Sequence, residues 1–488
     1  MSFRPSDDPP AAFSCSSSSV HSSPIRTASS VTCHTLADPC KKPIHEVGFS
    51  SAEIEPEVKG KPEEAQFDTT ELDDNLPEIS KEECSDGEVL TFPDGGLRAW
   101  LAVAGALMCT MSTFGFTNSW GVFQEYYQSI NLSNQTSSAI AWVGSAQYCL
   151  IFLPAVIMGR LMDIGKHFVP FTIGCVLYVV SVFLIAETHE YYQALLCQGI
   201  LLGLSAGVLF GPALAILSHW FNKRRSLAYG VVACGSSIGG TAYPILIRQC
   251  IPLIGFKWTL RVCGFIIMVS IGFAWLTLRP RLPPKNMSGG IFNFAAFKRP
   301  AFSLYVLGCW LIMVGLYTPL SYLDVMGRSQ GLGNFSTYLI SISNASSVIG
   351  RLVPGFFADK VGPINLLAPA SMLAGCLMFA WPYCTTKGAL IAFAIIYGIF
   401  CGSFVSLFSP GVAQLGETFD IGRRMGTLTT CLSLAALIGP PISGAILTKT
   451  GSYLSVAGFT GSFVLAGTAI MFASRYLLLK GFWGRPIS

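Results

Sequence analysis

At 488 residues the chain is long enough for about three soluble domains of roughly 150 residues each, but only 12% of it is charged, 51% is hydrophobic, and its mean hydropathy is +0.54. Soluble globular proteins carry about 25% charged residues, so an array of soluble domains is excluded and the bulk of the chain is built for lipid. The net charge of +4 averages two unlike parts: residues 1–93 hold 7 Lys/Arg against 18 Asp/Glu, and the rest holds 24 against 9.

The segment 1–93 contains the run Ser14-Cys15-Ser16-Ser17-Ser18-Ser19, scattered prolines and an acidic stretch from Glu53 to Glu88. With almost nothing to form an apolar face, it cannot offset the entropy of ordering its backbone and is expected to be a disordered tail. It lacks the basic start and the apolar core of about 7–15 residues of a secretory signal. It reads as a solvated tether, or as a phosphorylated or degradation-controlling tail.

From Asp94 onward the chain breaks into apolar segments near the ~20 residues needed to cross a ~30 Å hydrocarbon core. Spans are predicted at 99–123, 139–158, 168–186, 193–217, 226–248 and 260–278, then at 301–320, 336–357, 364–384, 388–412, 425–446 and 454–477. The expected fold is therefore all-α and membrane-embedded, with twelve transmembrane helices in two six-helix bundles, 94–278 and 301–478, and a short tail from 479 to 488. The basic, Pro- and Gly-containing stretch 279–300 reads as the linker. With both termini in the cytoplasm, the inner loops hold 13 Lys/Arg and the outer loops 5, the asymmetry the positive-inside rule requires. The sequons at Asn131, Asn134 and Asn334 would then lie outside and mark a glycoprotein.

The two sets of spans resemble each other. Gly159-Arg-Leu-Met-Asp163 and Gly355-Phe-Phe-Ala-Asp359 stand 196 residues apart, and Gly199 and Gly203 are matched by Gly398 and Gly402 at an offset of 199. Such a near-constant offset argues for an internally duplicated bundle, typical of secondary transporters with a site at the midplane.

An ionisable group deep in a span costs at least ~2.5–3.5 kcal/mol on insertion scales and is a functional candidate by default. No Asp or Glu lies clearly inside a span, and the six histidines fall in the tail or near loops. The exception is Arg351, eight residues before Asp359 and so about 12 Å deeper at 1.5 Å per residue. Its planar fork suits a carboxylate or other anionic group of a substrate; the alternative is that it binds backbone carbonyls of a neighbouring helix. No enzyme constellation is present: Gln193 stands where a zinc-protease helix beginning at His189-Glu190 needs its second His, Gly159–Lys166 lacks phosphate-loop spacing, and the 16 cysteines show no metal spacing. No cofactor or metal is expected.

The segments Asp94-Gly95-Gly96-Leu97-Arg98-Ala99-Trp100 and Trp220-Phe221-Asn222-Lys223-Arg224-Arg225-Ser226-Leu227-Ala228-Tyr229-Gly230, with the two Gly-x-x-x-Asp elements, make the chain from about Pro93 onward resemble the major facilitator superfamily, and within it the fungal monocarboxylate-transporter-like branch. Asp94 is expected to cap the first helix, with Arg98 among the inner headgroups and Trp100 at the interface. The glycines of Gly-x-x-x-Asp allow close helix contact and the Asp can accept from a neighbouring helix N-terminus or an Arg, so Asp163, Asp359, Arg224 and Arg424 are the candidate gating layer. For the arginines the alternative is plain positive-inside charge.

In proton-coupled animal members, the resemblance implies, the first helix carries a lysine and the helix with the arginine an acid one turn earlier. Asn118 and Ser347 occupy those places here, a departure that weighs against proton-coupled transport of the lactate type and leaves Asp324 or Glu125 as other proton carriers. On the helices that line the cavity in this superfamily, Phe114, Asn118, Tyr317, Tyr322, Asn344 and Ser409 are the candidate pocket residues beside Arg351. The function expected is secondary active transport of a small organic acid or amphipathic metabolite by alternating access. Efflux of a fungal secondary metabolite and a non-transporting membrane sensor are the alternatives, and the plasma membrane, or else the vacuolar membrane, is the expected location.

Overall fold

The computed structural model describes residues 80–83, 89–282, 290–291, 294–416 and 420–479. Most of the tail expected to be disordered, part of the linker and residues 480–488 lie outside them. The described end of that tail forms two short antiparallel strands, β1 (Ser80–Glu83) and β2 (Val89–Phe92), with Ser80 opposite Phe92.

Among the described residues after Pro93, all regular secondary structure is helical. The helices are α1 (Leu97–Asn131), α2 (Ala139–Asp163), α3 (Phe168–Ile185), α4 (Tyr191–Trp220), α5 (Arg225–Thr277), α6 (Pro300–Ser329), α7 (Tyr338–Val361), α8 (Pro363–Tyr383), α9 (Lys387–Ala413), α10 (Ile421–Thr450) and α11 (Tyr453–Leu479). Ten of them are long and apolar enough to cross a membrane.

Two departures from the twelve predicted spans have physical causes. The first is α5, where 226–248 and 260–278 are joined in one 53-residue run, interrupted at Gly255 with φ 76° and ψ 166°. Straight, that run would measure about 80 Å, well beyond the ~30 Å hydrocarbon core. It is not straight, because the indole N–H of Trp220, just before α5, donates to the carbonyl of Arg279, just after it, at 3.1 Å. Both ends of α5 therefore lie at one end of the molecule, and the chain doubles back at Gly255, whose positive φ a side chain would resist. The second is α7, which falls short on hydropathy. Its buried face carries Asn344, Ser347 and Arg351, while Ile349, Leu352, Val353, Phe356 and Phe357 are exposed on the other. Exposed Val176, Val269 and Leu307 continue that apolar outer surface, the covering that lipid requires.

Asp94 does not cap α1, whose N-terminal residue Gly96 makes no side-chain cap bond. Its carboxylate accepts instead from the main-chain N–H groups of Asn222 (2.7 Å) and Arg224 (3.3 Å), and its own N–H donates to the Trp220 carbonyl (3.2 Å). Trp100 packs edge-on against Phe221 at 5.5 Å. The loop before α5 has open amides that a short anionic side chain can reach, and Asp tolerates the required φ of 47°.

Helices α2 and α7 end against the starts of helices from the other half of the sequence. Asp163 Oδ2 accepts from the N–H of Arg423 at 2.9 Å, and Asp359 accepts from the N–H groups of Ser226 (2.7 Å) and Leu227 (3.0 Å). The backbones almost touch: a Cβ on Gly159 would lie 2.1 Å from the Gly422 carbonyl oxygen, and one on Gly230 2.6 Å from that of Arg351. Deeper in, Thr430 Oγ1 donates to the Leu153 carbonyl (3.0 Å) and accepts from the Val156 N–H (3.2 Å). At the opposite end, Glu125 of α1 pairs with Arg328 of α6 at 3.1 Å and with Arg248 of α5 at 3.7 Å. There too Asn131 Nδ2 donates to the Thr188 carbonyl, and hydrogen bonds from Lys257 and Arg261 hold the Glu187 carboxyl below the usual range.

Replacing Asp94 with Ala leaves two amides without their carboxylate and should lower stability by about 1–3 kcal/mol, with Asp94→Asn, which keeps one acceptor, recovering part; thermal unfolding of the purified protein checks this. Gly159→Val overpacks the α2–α10 contact at a cost of about 1–3 kcal/mol. The equilibrium should then shift about tenfold or more toward a state open at the Asp163 end. Spin labels at Lys166 and Lys360 should move apart, and an unchanged distance would refute the assignment of this contact as a closure.

Candidate functional site

Two helices break near their middles, and the breaks define the site. α1 passes through a π-helical turn at Met111–Gly115 and is interrupted at Asn118 and Ser119 before resuming at Trp120. α6 is interrupted at Tyr317, and Pro319 at the start of the next segment removes a main-chain donor. Asn118 and Tyr317 stand 199 residues apart, the same offset as the repeated glycines. Both breaks bring polar groups to a common point: Tyr148 OH donates to Asn118 Oδ1 at 3.0 Å, and its ring lies 6.2 Å from that of Tyr317. The π turn is backed by close packing of small residues, since a Cβ on Gly115 would lie 2.6 Å from the Cα of Gly239 in α5.

Phe114, Asn118, Tyr317, Asn344 and Arg351 line one space of about 410 Å³ between the two halves of the sequence. Ser409 lines an adjoining space of about 550 Å³, which Phe114 and Tyr317 also border. Tyr322 points elsewhere, its hydroxyl donating to the Pro440 carbonyl at 3.0 Å. The sequence reading missed Tyr148, Trp120, Gln124 and Ser236, together with the aromatics Phe152, Phe210, Phe404 and Phe408. For Phe404 and Phe408 a signal existed, two rings one helical turn apart beside Ser409.

Arg351 is buried, and its guanidinium reaches across to α5. One terminal nitrogen donates to the Ala233 carbonyl and to Ser236 Oγ. Its Nε has no partner within the protein. Of the two alternatives for this residue, the backbone-carbonyl contact is present, and the same side chain also borders the cavity. Around it the α5–α7 seam is polar: Ser237 and Ser347 share a hydroxyl contact of 2.6 Å and Asn344 Nδ2 donates to the Gly240 carbonyl at 3.2 Å. Burying such groups is tolerable because each finds a partner across the seam.

Among the four candidate gating residues, Asp163 and Asp359 lie at contacts between the two halves, as described above. Arg224 is exposed and meets Asp94 through its main-chain N–H. Arg424 is buried, pairs with Asp420 one turn earlier and donates to the Val412 carbonyl at 3.0 Å, so it fastens α10 to the end of α9 within the same half. Asp163 accepts from the backbone N–H of the neighbouring Arg423, and the Arg424 guanidinium lies near enough to interact with Asp163 electrostatically. Among the described residues no cluster of three or more His, Cys, Asp or Glu could hold a metal ion.

Comparison with known proteins gives a consistent result. The Major Facilitator Superfamily matches residues 103–409. The "Aspyridones efflux protein apdF" of Emericella nidulans is 38% identical over 80% of this chain and 80% of its own length. The "Agnestins efflux protein AgnL12" of Paecilomyces divaricatus is 34% identical over 85% of this chain and 98% of its own, and the "Fujikurins efflux protein" of Gibberella fujikuroi is 37% identical over 80% and 86%. The crystal structure of the human organic anion transporter MFSD10 (TETRAN) superposes with a TM-score of 0.60, covering 76% of this chain and 98% of that one, at 15% identity, a likeness of fold alone. With broken helices around a central cavity, a match over most of the helical region and relatives of this identity and coverage, the chain belongs to the Major Facilitator Superfamily and is a multi-pass membrane transporter.

Proposed function

We propose that this protein exports a secondary metabolite, an amphipathic or anionic small molecule, by alternating access of two six-helix halves. The observation that carries the reading is the central cavity, which lies where α1 and α6 break and joins a space lined by Phe114, Phe152, Phe210, Phe404 and Phe408 to a more polar one bordered by Asn118, Asn344 and Arg351. The efflux names of three relatives support it. On this reading α5 crosses twice, on either side of Gly255, and α7 crosses with its polar face turned inward, which gives twelve crossings. The Asp163/Asp359 end, with its many Lys and Arg, faces the cytoplasm, and the membrane is the plasma membrane. The contacts of Asp163 and Asp359 close that end and must break when the cavity opens toward the cytoplasm to load.

A second reading, transport of a small organic acid by a member of the monocarboxylate-transporter-like branch, rests on Arg351, a buried cation that borders the cavity. Against it, the places of the coupling lysine and acid are held by Asn118, engaged by Tyr148, and Ser347, engaged by Ser237. Neither side chain takes up or releases a proton near neutral pH.

The purified protein in liposomes separates the two readings. Saturable transport of a fluorescent aromatic probe such as 1-anilinonaphthalene-8-sulfonate, but not of labelled lactate, is expected, and Tyr317→Ala should reduce it about tenfold or more through loss of a central aromatic contact. Saturable lactate transport that is abolished in Arg351→Ala and unaffected by the probe would overturn export in favour of the organic-acid reading. Running both arms with and without an imposed pH gradient tests proton coupling.

A further inference from the structure

The central cavity is divided along its length. Toward the Asp163/Asp359 end lies a chamber of about 550 Å³ walled by Phe114, Phe152, Phe210, Phe404 and Phe408. Its rings are set for aromatic contact, with Phe114 4.6 Å from Phe210 and 5.4 Å from Phe152, and Phe404 6.0 Å from Phe408. Toward the Glu125 end lies a chamber of about 780 Å³ walled by Asn118, Trp120, Gln124, Tyr148, Ser321 and Asn344. Met313 and Tyr317 border both.

The order along the axis is fixed by the helices. On α1 the aromatic chamber takes Thr110 and Phe114 and the polar one takes Asn118 to Gln124; on α10 the same order runs from Leu432 to Ala436 and Pro440. Thr110 to Gln124 spans about 20 Å at helical rise. A ligand uniform in polarity suits only half of this space. Hydroxyl groups in the aromatic chamber would lose water and find few free partners, since Thr110, Tyr229 and Ser406 on its wall already donate to backbone carbonyls, and a pure hydrocarbon would leave the amides and hydroxyls of the polar chamber unused. Aromatic rings, by contrast, gain edge-to-face contacts from the phenylalanines.

We propose that the ligand is an amphipathic molecule with an aromatic or conjugated apolar portion and a hydrogen-bonding head, held with the rings among the phenylalanines and the head among Asn118, Gln124 and Tyr148. Tyr317 divides the two chambers. The proposal rests on the reading of this cavity as the transport site and names its ligand class and orientation.

Trp120 in the polar chamber provides the reporter, its indole held by a 2.9 Å bond to Gln124. Two bromine-bearing probes, 3-bromobiphenyl-4-carboxamide with the bromine beside the amide and 4'-bromobiphenyl-4-carboxamide with it at the far apolar end, are titrated into the purified full chain. The Trp120 signal is the difference between wild type and Trp120→Phe. The 3-bromo probe should quench it and the 4'-bromo probe should leave it nearly unchanged. Phe210→Leu, a mild change that preserves an apolar wall, should weaken both probes several-fold while benzamide binding stays the same, and Asn118→Ala should weaken all three. Equal or reversed quenching, loss of benzamide binding in Phe210→Leu, or no saturable binding by any probe overturns the proposal. Transport by the same preparation judges the export reading separately, since a protein that transports but shows reversed quenching keeps its function and loses only this division.

Discussion

Two carboxylates at helix ends accept main-chain N–H groups from helices of the opposite half of the sequence, and the packing of that end of the molecule depends on them. Asp163 meets the start of α10 and Asp359 the start of α5. A helix N-terminus has unsatisfied amides and a positive dipole end, so an aspartate there is stabilised by both. Because each acceptor belongs to one half and each donor to the other, the contact holds only while the halves are together. The adjoining glycines matter for the same reason: without a side chain at 159 or 230, the backbones can come close enough for the carboxylates to reach.

Above this closure the α5–α7 seam carries serines, an asparagine and Arg351, groups that would be costly against lipid. Ser237 and Ser347 are matched to each other, Asn344 to the Gly240 carbonyl, and one nitrogen of Arg351 to Ala233 and Ser236. A hydrogen bond across a dry interface is strong enough to hold and, being replaceable by water or ligand, is also able to exchange. Arg351 illustrates this, with one nitrogen engaged by α5 while the side chain also borders the cavity. The breaks in α1 and α6 act at the same depth. An unbroken helix would bury its amides in its own hydrogen bonds, whereas interrupted ones turn Asn118 and Tyr317 toward the cavity, an arrangement that membrane helices tolerate only where they line one.

The two most specific sequence segments, 94–100 and 220–230, form one structural unit. Asp94 binds the amides of the later segment, and Trp100 packs on Phe221. Read singly, each segment suggested an anchor or a cap; their partnership across more than a hundred residues became visible only in space.

Hydropathy was enough to make a helical membrane protein legible in the sequence, because it is a one-dimensional consequence of the solvent the chain must face, and the near-constant repeat offset pointed to a duplicated design. Arg351 was legible for the same reason, as a charge where lipid forbids one. What the linear order could not contain was pairing: that Asp163 accepts from the backbone N–H of Arg423, that Arg224 points to solvent, that α5 runs on through its expected loop to Gly255, and that Phe152, Phe210, Phe404 and Phe408 share one chamber. Such facts depend on which faces of separate helices are brought together, and in a membrane, where every helix is apolar around most of its circumference, tertiary packing alone decides which apolar side meets lipid and which meets the cavity.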